Sequence, residues 1–263
     1  MVTTDYPCAI IIASSDGYSD AWEAFFTLFF KYWPDCPYPL YLISSKKVYP
    51  DSRVHTITSE QYGDVPAEWG KRIGAAVRSV PGDLFIYMQE DYFLMAPVDT
   101  TRIELLVKNF RLLNAVYIKL HPSPAPKKII DQEMRLGELI RGSDYSISLQ
   151  TCIWDKKTFL DLLTADITPW KFEFEGSKKT AQYSKKLLSV MQHDSPLPYF
   201  ATAIKRGRWY YDAVKLCERE GIRLDLTIRP VEPYAAYLRR QIFELPYIGT
   251  SLSRIYRRCT ALA

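Results

Sequence analysis

Histidine is scarce in this 263-residue chain, which carries only His55, His121 and His193. None falls in an HExxH pair and no GxSxG elbow is present, so zinc hydrolysis and a serine-hydrolase triad lack their residues. Cysteine is also sparse. Cys8, Cys36, Cys152, Cys217 and Cys259 are odd in number, scattered and without C-x-x-C spacing, which points to reduced, mostly buried thiols in a cytoplasmic protein. Neither GxxxxGKS/T nor GxGxxG occurs, so no P-loop or dinucleotide fingerprint is there to hold phosphate. No run of about 18 apolar residues exists to span a membrane. The opening MVTTDYPCAIIIASS has no basic n-region, and its apolar stretch ends in polar residues instead of a cleavage site. It reads as a first strand and not as a signal peptide.

What is present is an ordinary globular composition, 48% apolar and 24% charged, with many aromatics: 19 Tyr, 12 Phe and 6 Trp. Such a surplus is commonly core, with stacking on sugars or bases as the functional alternative. One large α/β domain, or a domain with a small appendage, is expected at this length. The net charge of +4 is unevenly placed. From Arg239 to Ala263 five arginines stand against the single acid Glu244, so this tail alone carries the +4. The rest is balanced, which argues against a nucleic-acid surface.

CAIIIA (8–13) is the short apolar run of a strand buried on both faces. After the loop SSDGYSD, apolar positions Trp22, Phe25, Phe26, Phe29, Phe30 and Trp33 recur at helical spacing and stop before Pro34. PLYLIS (39–44), VHTIT (54–58), PGDLFIYM (81–88) and AVYIKLH (115–121) read as further strands. AEWGKRIGAAVRSV (67–80) and DTTRIELLVKNFRLLN (99–114) read as helices, the second capped by Asp99. YSISLQTCIWDKKTFLDLL (145–163) is a strand entering a helix, and Thr168 with Pro169 caps another. The stretch 121–145, opening on a proline-rich loop, is less regular. This alternation is the signature of a mostly parallel sheet covered by helices.

In such sheets ligands bind outside the carboxyl ends of the strands, especially where strand order reverses. Two polar clusters follow strand ends: Ser14, Ser15 and Asp16 after the first strand, and Glu90 and Asp91 after FIYMQ. Burying an unpaired carboxylate is costly, so the adjacent acids need a cation, donors or water to face. Mg2+ or Mn2+ would suit them, taking one or two carboxylates and filling its other positions with diphosphate oxygens and water. Pairing with Arg or Lys, or capping a turn, would also satisfy them. A third cluster lies in TPWKFEFEGS (168–177), where Glu173 and Glu175 stand near a helix start. Helix-end amides keep a carboxylate ionised there, able to take a proton from a hydroxyl, and Trp170 could stack on a sugar face. An ordinary first helical turn also favours acids.

Taken in order, ASSDGYSDAWEAFFTLFFKYWPDCPYPLYLIS (13–44), EWGKRI (68–73), MQEDYFLMAPVD (88–99), YSISLQTCIWDKKTFLDLL (145–163), PWKFEFEGS (169–177) and AIKRGRWY (203–210) resemble the GT-A-fold nucleotide-sugar glycosyltransferases. Within them the likeness is to small bacterial enzymes of capsule or lipopolysaccharide assembly. The resemblance implies a Rossmann-like GT-A fold of the α/β class over 1–232, with a mixed, mostly parallel sheet flanked by helices, and a basic amphipathic helical extension over 233–263. It implies that Ser14, Ser15 and Asp16 bind the nucleoside, with Tyr18 and Trp22 nearby, and that Arg72 faces the diphosphate. Glu90 and Asp91 would stand where an Asp-x-Asp motif holds a divalent metal and the sugar diphosphate. Glu173 would be the general base of an inverting transfer, with Gln150 and Trp154 lining the sugar and acceptor side near Trp170 and Glu175. The chain departs from the family in carrying Glu-Asp where Asp-x-Asp is usual.

The reaction implied is attack by an acceptor hydroxyl on the anomeric carbon of a nucleoside-diphosphate sugar. One carboxylate suffices, because the nucleoside diphosphate leaves without needing a proton. Mn2+ or Mg2+ is the cofactor expected, and a glycan or polyprenyl-linked lipid the acceptor. The basic tail 234–263 suits the inner face of an anionic plasma membrane, a terminal helix packed on the domain, or a dimer contact. Two other functions compete. A sugar nucleotidyltransferase would usually have a glycine-rich basic loop, which SSDGYSD is not, and a sugar- or nucleotide-binding module without turnover would share the fold.

Overall fold

The computed structural model describes residues 8–58, 69–164 and 166–244. The chain divides into two compact units, the first ending at Ala201 and the second beginning at Thr202. In the first unit β1 (Cys8–Ala13) leads through a 3-10 turn (Asp16–Ala21) into α1 (Trp22–Tyr32). Then come β2 (Leu40–Ser44), β3 (Val54–Thr58), α2 (Trp69–Ser79), β4 (Leu84–Gln89), β5 (Phe93–Leu94), α3 (Thr100–Asn109) and β6 (Ala115–Lys119). The less regular stretch folds as a short pair, β7 (Ile129–Asp131) and β8 (Leu136–Glu138). The unit closes with β9 (Cys152–Asp155), α4 (Lys156–Leu162), α5 (Pro169–Lys179), β10 (Lys186–Val190) and β11 (Tyr199–Phe200).

Among the described residues nine strands form one sheet in the order β3-β2-β1-β4-β9-β6-β10-β8-β7. The pairs β1–β2, β2–β3, β1–β4 and β6–β10 are parallel, while β9 and β8 run against their neighbours. This is the mixed, mostly parallel, helix-flanked sheet that the GT-A resemblance implies.

Alternation along the strands sorts the side chains between two faces. Ala9, Ile11, Phe85, Tyr87, Tyr117 and Trp154 share one core with residues of α2, α4 and α5, among them Ile73, Phe159 and Phe172. The residues between them, Ile10, Ile12, Ile86 and Met88, are equally buried, as a sheet covered on both faces requires. Trp154 is wholly buried, with ring centroids 4.4 Å from Tyr117, 5.3 Å from Phe159 and 6.0 Å from Phe172. The expectation that Trp154 lines a cleft is corrected by this: β9 is a central strand, and its alternation turns the indole under the helices.

Side chains start the helices. Asp99 accepts from Arg102 N, and Thr168 accepts from Lys171 N with Pro169 in the first turn of α5. Asp155 caps α4 by accepting from Thr158 N (2.8 Å) and Thr158 Oγ1 (2.7 Å), and it meets Arg111 Nη1 at 2.5 Å. Burial alone would raise the Asp155 pKa, but the Thr158 donors and Arg111 outweigh it and hold the carboxyl below the usual carboxylate range. Asp155→Ala is expected to cost about 2 kcal/mol of stability, the upper end for an N-cap, measured by urea unfolding. Because the folded-state pKa is depressed, this contribution is full above the unfolded-state pKa and is lost as pH falls through the folded one. The gap between wild type and variant should therefore narrow in acid.

The second unit holds a hairpin of β12 (Ile204–Lys205) and β13 (Arg208–Trp209), then α6 (Tyr211–Arg219) and α7 (Tyr234–Glu244). Arg206 (φ 51°) and Gly207 (φ 73°) form its two-residue turn, both in the left-handed region that such tight hairpins need. Arg240 on α7 donates to Asp212 and Glu232, each at 2.8 Å, tying α7 to the start of α6. Tyr234, Leu238 and Ile242, spaced four apart along α7, are exposed. The remainder of the basic tail, 245–263, lies outside the described residues.

Candidate active site

Strands β1, β2, β4 and β6 all end at one edge of the sheet, where antiparallel β9 begins. Strand order reverses at β1, with β2 and β3 on one side and β4 on the other, so the β1/β4 ends are the switch point. Ala13 pairs in register with Gln89, which brings Ser14 and Glu90 out side by side. Ser14 is buried and accepts from Trp22 Nε1 at 2.7 Å. Ser15 is half-buried next to it. The Asp16 carboxylate accepts from the amides of Ser45 (3.0 Å), Lys46 (3.0 Å) and Lys47 (3.1 Å). Burial works to raise its pKa, but those three amides prevail and hold it below the ordinary value. Asp16 thus braces the loop after β2.

Arg72, half-buried on α2, donates from Nη1 to Ser45 Oγ at 3.1 Å. Burial lowers its pKa, opposed by the attraction of Glu90 and Asp16. Glu90 and Asp91 are each 7% exposed, in a turn closed by Tyr92 N donating to Gln89 O at 3.1 Å. Among the described residues no group of three or more His, Cys, Asp or Glu is arranged to hold a metal. Two hard carboxylates fit instead a Mg2+ or Mn2+ shared with a diphosphate, which asks only one or two ligands of the protein.

Beside this cluster lies a cavity of about 410 Å³ whose lining includes Ser123, Asp144, Tyr145, Ser148, Gln150 and Glu173. Glu173 on α5 accepts from Leu149 N at 2.7 Å through Oε1, which leaves its second oxygen for a ligand. Burial raises its pKa, while the Leu149 amide and the charge of Lys119 pull the other way. Lys119 is fully buried, and its Nζ donates to Ser123 O (3.0 Å) and Tyr145 O (3.1 Å). Burial pushes its pKa down to about 8, with Cys152 and Glu173 opposing. Tyr199 OH donates to Gln150 Oε1 at 2.8 Å and accepts from Thr151 N at 3.1 Å, so the Gln150 amide NH2 is the end left to a ligand.

The two clusters adjoin. Burial holds the hydroxyls of Tyr87 and Tyr92 far above the ordinary phenol range, and carboxylates add to this: Glu90 and Glu173 act on Tyr87, Asp91 and Glu173 on Tyr92. Tyr92, next to Asp91, donates its hydroxyl to Leu149 O at 3.0 Å, and the amide of the same Leu149 is the one that holds Glu173. Gln150 and Glu173 both line the cavity. Trp170 is 78% exposed in the first turn of α5 and is not part of the lining. Glu175 is exposed, and two positions from Glu173 on a helix it faces the opposite way, so its assignment to the cavity is corrected. Sequence reasoning missed Lys119, Tyr145, Ser148 and Tyr199. Only Lys119 left a signal, a lone cation closing the apolar strand AVYIK.

No protein-family model matches the chain, and no curated protein matches it. Solved structures are similar to it at low identity. TarS from S. aureus is 10% identical over 75% of this chain and 61% of that one, with a TM-score of 0.48. The mannosyltransferase PcManGT from Pyrobaculum calidifontis, solved with GDP-Man and Mn2+, is 12% identical over 78% of this chain and 59% of that one, with a TM-score of 0.48. A cytidylyltransferase from Leptospira borgpetersenii is 10% identical over 86% of this chain and 98% of that one, with a TM-score of 0.46. The chain spans 61% and 59% of the length of the first two.

Proposed function

We propose that this protein is a glycosyltransferase that moves a sugar from a nucleoside-diphosphate sugar to an acceptor hydroxyl, inverting the anomeric carbon. The observation that carries this reading is the situation of Glu173. It is a partly buried carboxylate, fixed by one backbone amide, on a cavity beside the switch-point cluster of Arg72, Glu90 and Asp91.

In this reading Ser14, Ser15 and the loop braced by Asp16 receive the nucleoside, and Arg72 meets the diphosphate. Glu90 and Asp91 would hold Mn2+ or Mg2+, which when bound offsets the charge developing on the leaving diphosphate. Glu173 takes the proton of the acceptor hydroxyl as its oxygen attacks the anomeric carbon, and the bond from that carbon to the diphosphate oxygen breaks. A base with a pKa raised toward neutrality is better matched to that task than an ordinary glutamate. Gln150 offers an amide donor to a sugar oxygen. Trp170, exposed one turn before Glu173, is free to flank the mouth of the cavity.

The reading extends to bacterial surface polysaccharide synthesis at the inner face of the plasma membrane. No helix among the described residues is long and apolar enough to cross a membrane. The exposed Tyr234, Leu238 and Ile242 of α7, followed by the arginine-rich tail, support peripheral contact with anionic lipid, where a polyprenyl-linked acceptor would lie.

The test is incubation with a panel of nucleoside-diphosphate sugars, Mn2+ and glycan or lipid-linked acceptors, with the product linkage read by NMR. The expected product has the anomeric configuration opposite to the donor. A retained configuration would remove Glu173 as the direct base, and nucleoside-diphosphate sugar formed from a nucleoside triphosphate and a sugar phosphate would replace the reading with nucleotidyl transfer.

A further inference from the structure

We propose that the cavity beside Glu173 binds an uncharged carbohydrate ring, stacked on Tyr145, and rejects phosphorylated or carboxylated sugars. The proposal rests on the glycosyltransferase reading in making this ring the acceptor; the binding chemistry itself comes from the lining residues.

Tyr145 is a large ring left 51% exposed on that lining. Its backbone has φ 55°, a region that non-glycine residues seldom adopt and that persists only where the surroundings enforce it. They do so here. The Tyr145 carbonyl accepts from the buried Lys119 ammonium, which also holds the Ser123 carbonyl of another lining segment. On the next residue, Ser146 N donates to Ser143 O at 3.2 Å, and one further on Ile147 N donates to Ser177 Oγ at 3.2 Å. The backbone that carries this exposed ring is thus fixed before any ligand arrives. A pyranose presents an apolar C–H face that fits such a ring, and hydroxyls at its edge that need donors and acceptors. Gln150 NH2, Ser148 and the second oxygen of Glu173 supply these.

Charge narrows the class further. Among the described residues the carboxylates of the lining are Asp144 and Glu173, and no Lys or Arg is among the lining residues. The Lys119 ammonium is committed to two carbonyls beneath it, and Lys178 is paired with Asp144 at 2.5 Å. A phosphate or carboxylate would meet carboxylates without a lining cation to repay its lost hydration.

The test is saturation-transfer NMR on the full chain with millimolar galactose, N-acetylglucosamine, glucuronic acid and glucose 6-phosphate. Neutral sugars are expected to receive saturation on their ring C–H protons, and the two anionic sugars much less. Tyr145→Asn keeps a residue that tolerates the left-handed backbone while removing the ring, and it should weaken neutral-sugar binding by about tenfold or more, the scale of one lost aromatic stacking contact. Tyr145→Phe should bind as wild type. Anionic sugars binding as well as neutral ones, unchanged binding by Tyr145→Asn, or no sugar binding at all would each overturn the proposal. If neutral sugars bind in this pattern while no nucleotide binds, the carbohydrate site stands and the transferase reading falls. If transfer proceeds and Tyr145→Asn leaves the acceptor KM unchanged, the transferase stands and the site falls.

Discussion

Glu173→Gln is expected to lower the rate constant of sugar transfer by about a thousandfold, within the range a positioned general base supplies, while nucleotide binding keeps its wild-type affinity. The substitution is close to isosteric. A glutamine oxygen can still accept from Leu149 N, the contact that fixes the side chain at 2.7 Å in the native protein, so the fold around the cavity should be retained. What disappears is basicity. The loss should therefore appear in kcat with little change in the KM for donor or acceptor.

The pH dependence gives an independent check. Burial raises the Glu173 pKa, against the pull of the Leu149 amide and Lys119. The base must be ionised to work, so wild-type activity should fall as pH drops through that raised pKa, at a higher pH than an ordinary glutamate would give. The glutamine variant should have lost this acid limb. Initial rates of both proteins across pH test the point, and an acid limb surviving unshifted in the variant would place the base elsewhere.

Arg72→Ala is expected to weaken nucleoside-diphosphate binding by about a hundredfold, the equivalent of one charge-assisted contact of up to about 3 kcal/mol. Arg72 is half-buried, close enough to feel both Glu90 and Asp16, and anchored to Ser45 Oγ at 3.1 Å. Such a cation, with one arm of its fork anchored on the loop after β2, is preorganised for a diphosphate. Arg72→Lys keeps the charge without the fork and should fall between the two. Calorimetry with the nucleoside diphosphate and with the bare nucleoside separates the roles. Equal losses for both ligands would mean that Arg72 only shapes the Ser45 loop.

The sheet was largely legible because its strands are short apolar runs between strong punctuation. CAIIIA and VHTIT match β1 and β3 residue for residue, and Thr168–Pro169 marks the start of α5. The adjacent acids Glu90 and Asp91 are legible as a candidate site because charge at the end of a buried strand must face something. Trp154 was misread because nothing local distinguishes an aromatic turned toward a cleft from one turned under helices; that depends on β9 inserting between β4 and β6, a long-range event. Glu175 is near Glu173 in sequence but not in the cavity, because a helix turns residues two apart to opposite sides. Tyr145 lies in the least regular stretch of the chain, and its exposure and left-handed backbone arise from tertiary bonds to Lys119 and neighbouring turns, which no periodicity encodes.

The central claim, that the switch-point edge of this sheet binds the diphosphate of a nucleotide sugar, is tested most directly by calorimetric titration of the full chain with UDP, GDP, CMP and dTDP, with and without Mn2+. The expected result is micromolar binding of one of them, strengthened by Mn2+ and lost in Asp91→Ala. Failure of every nucleotide to bind in the presence of Mn2+ would contradict it.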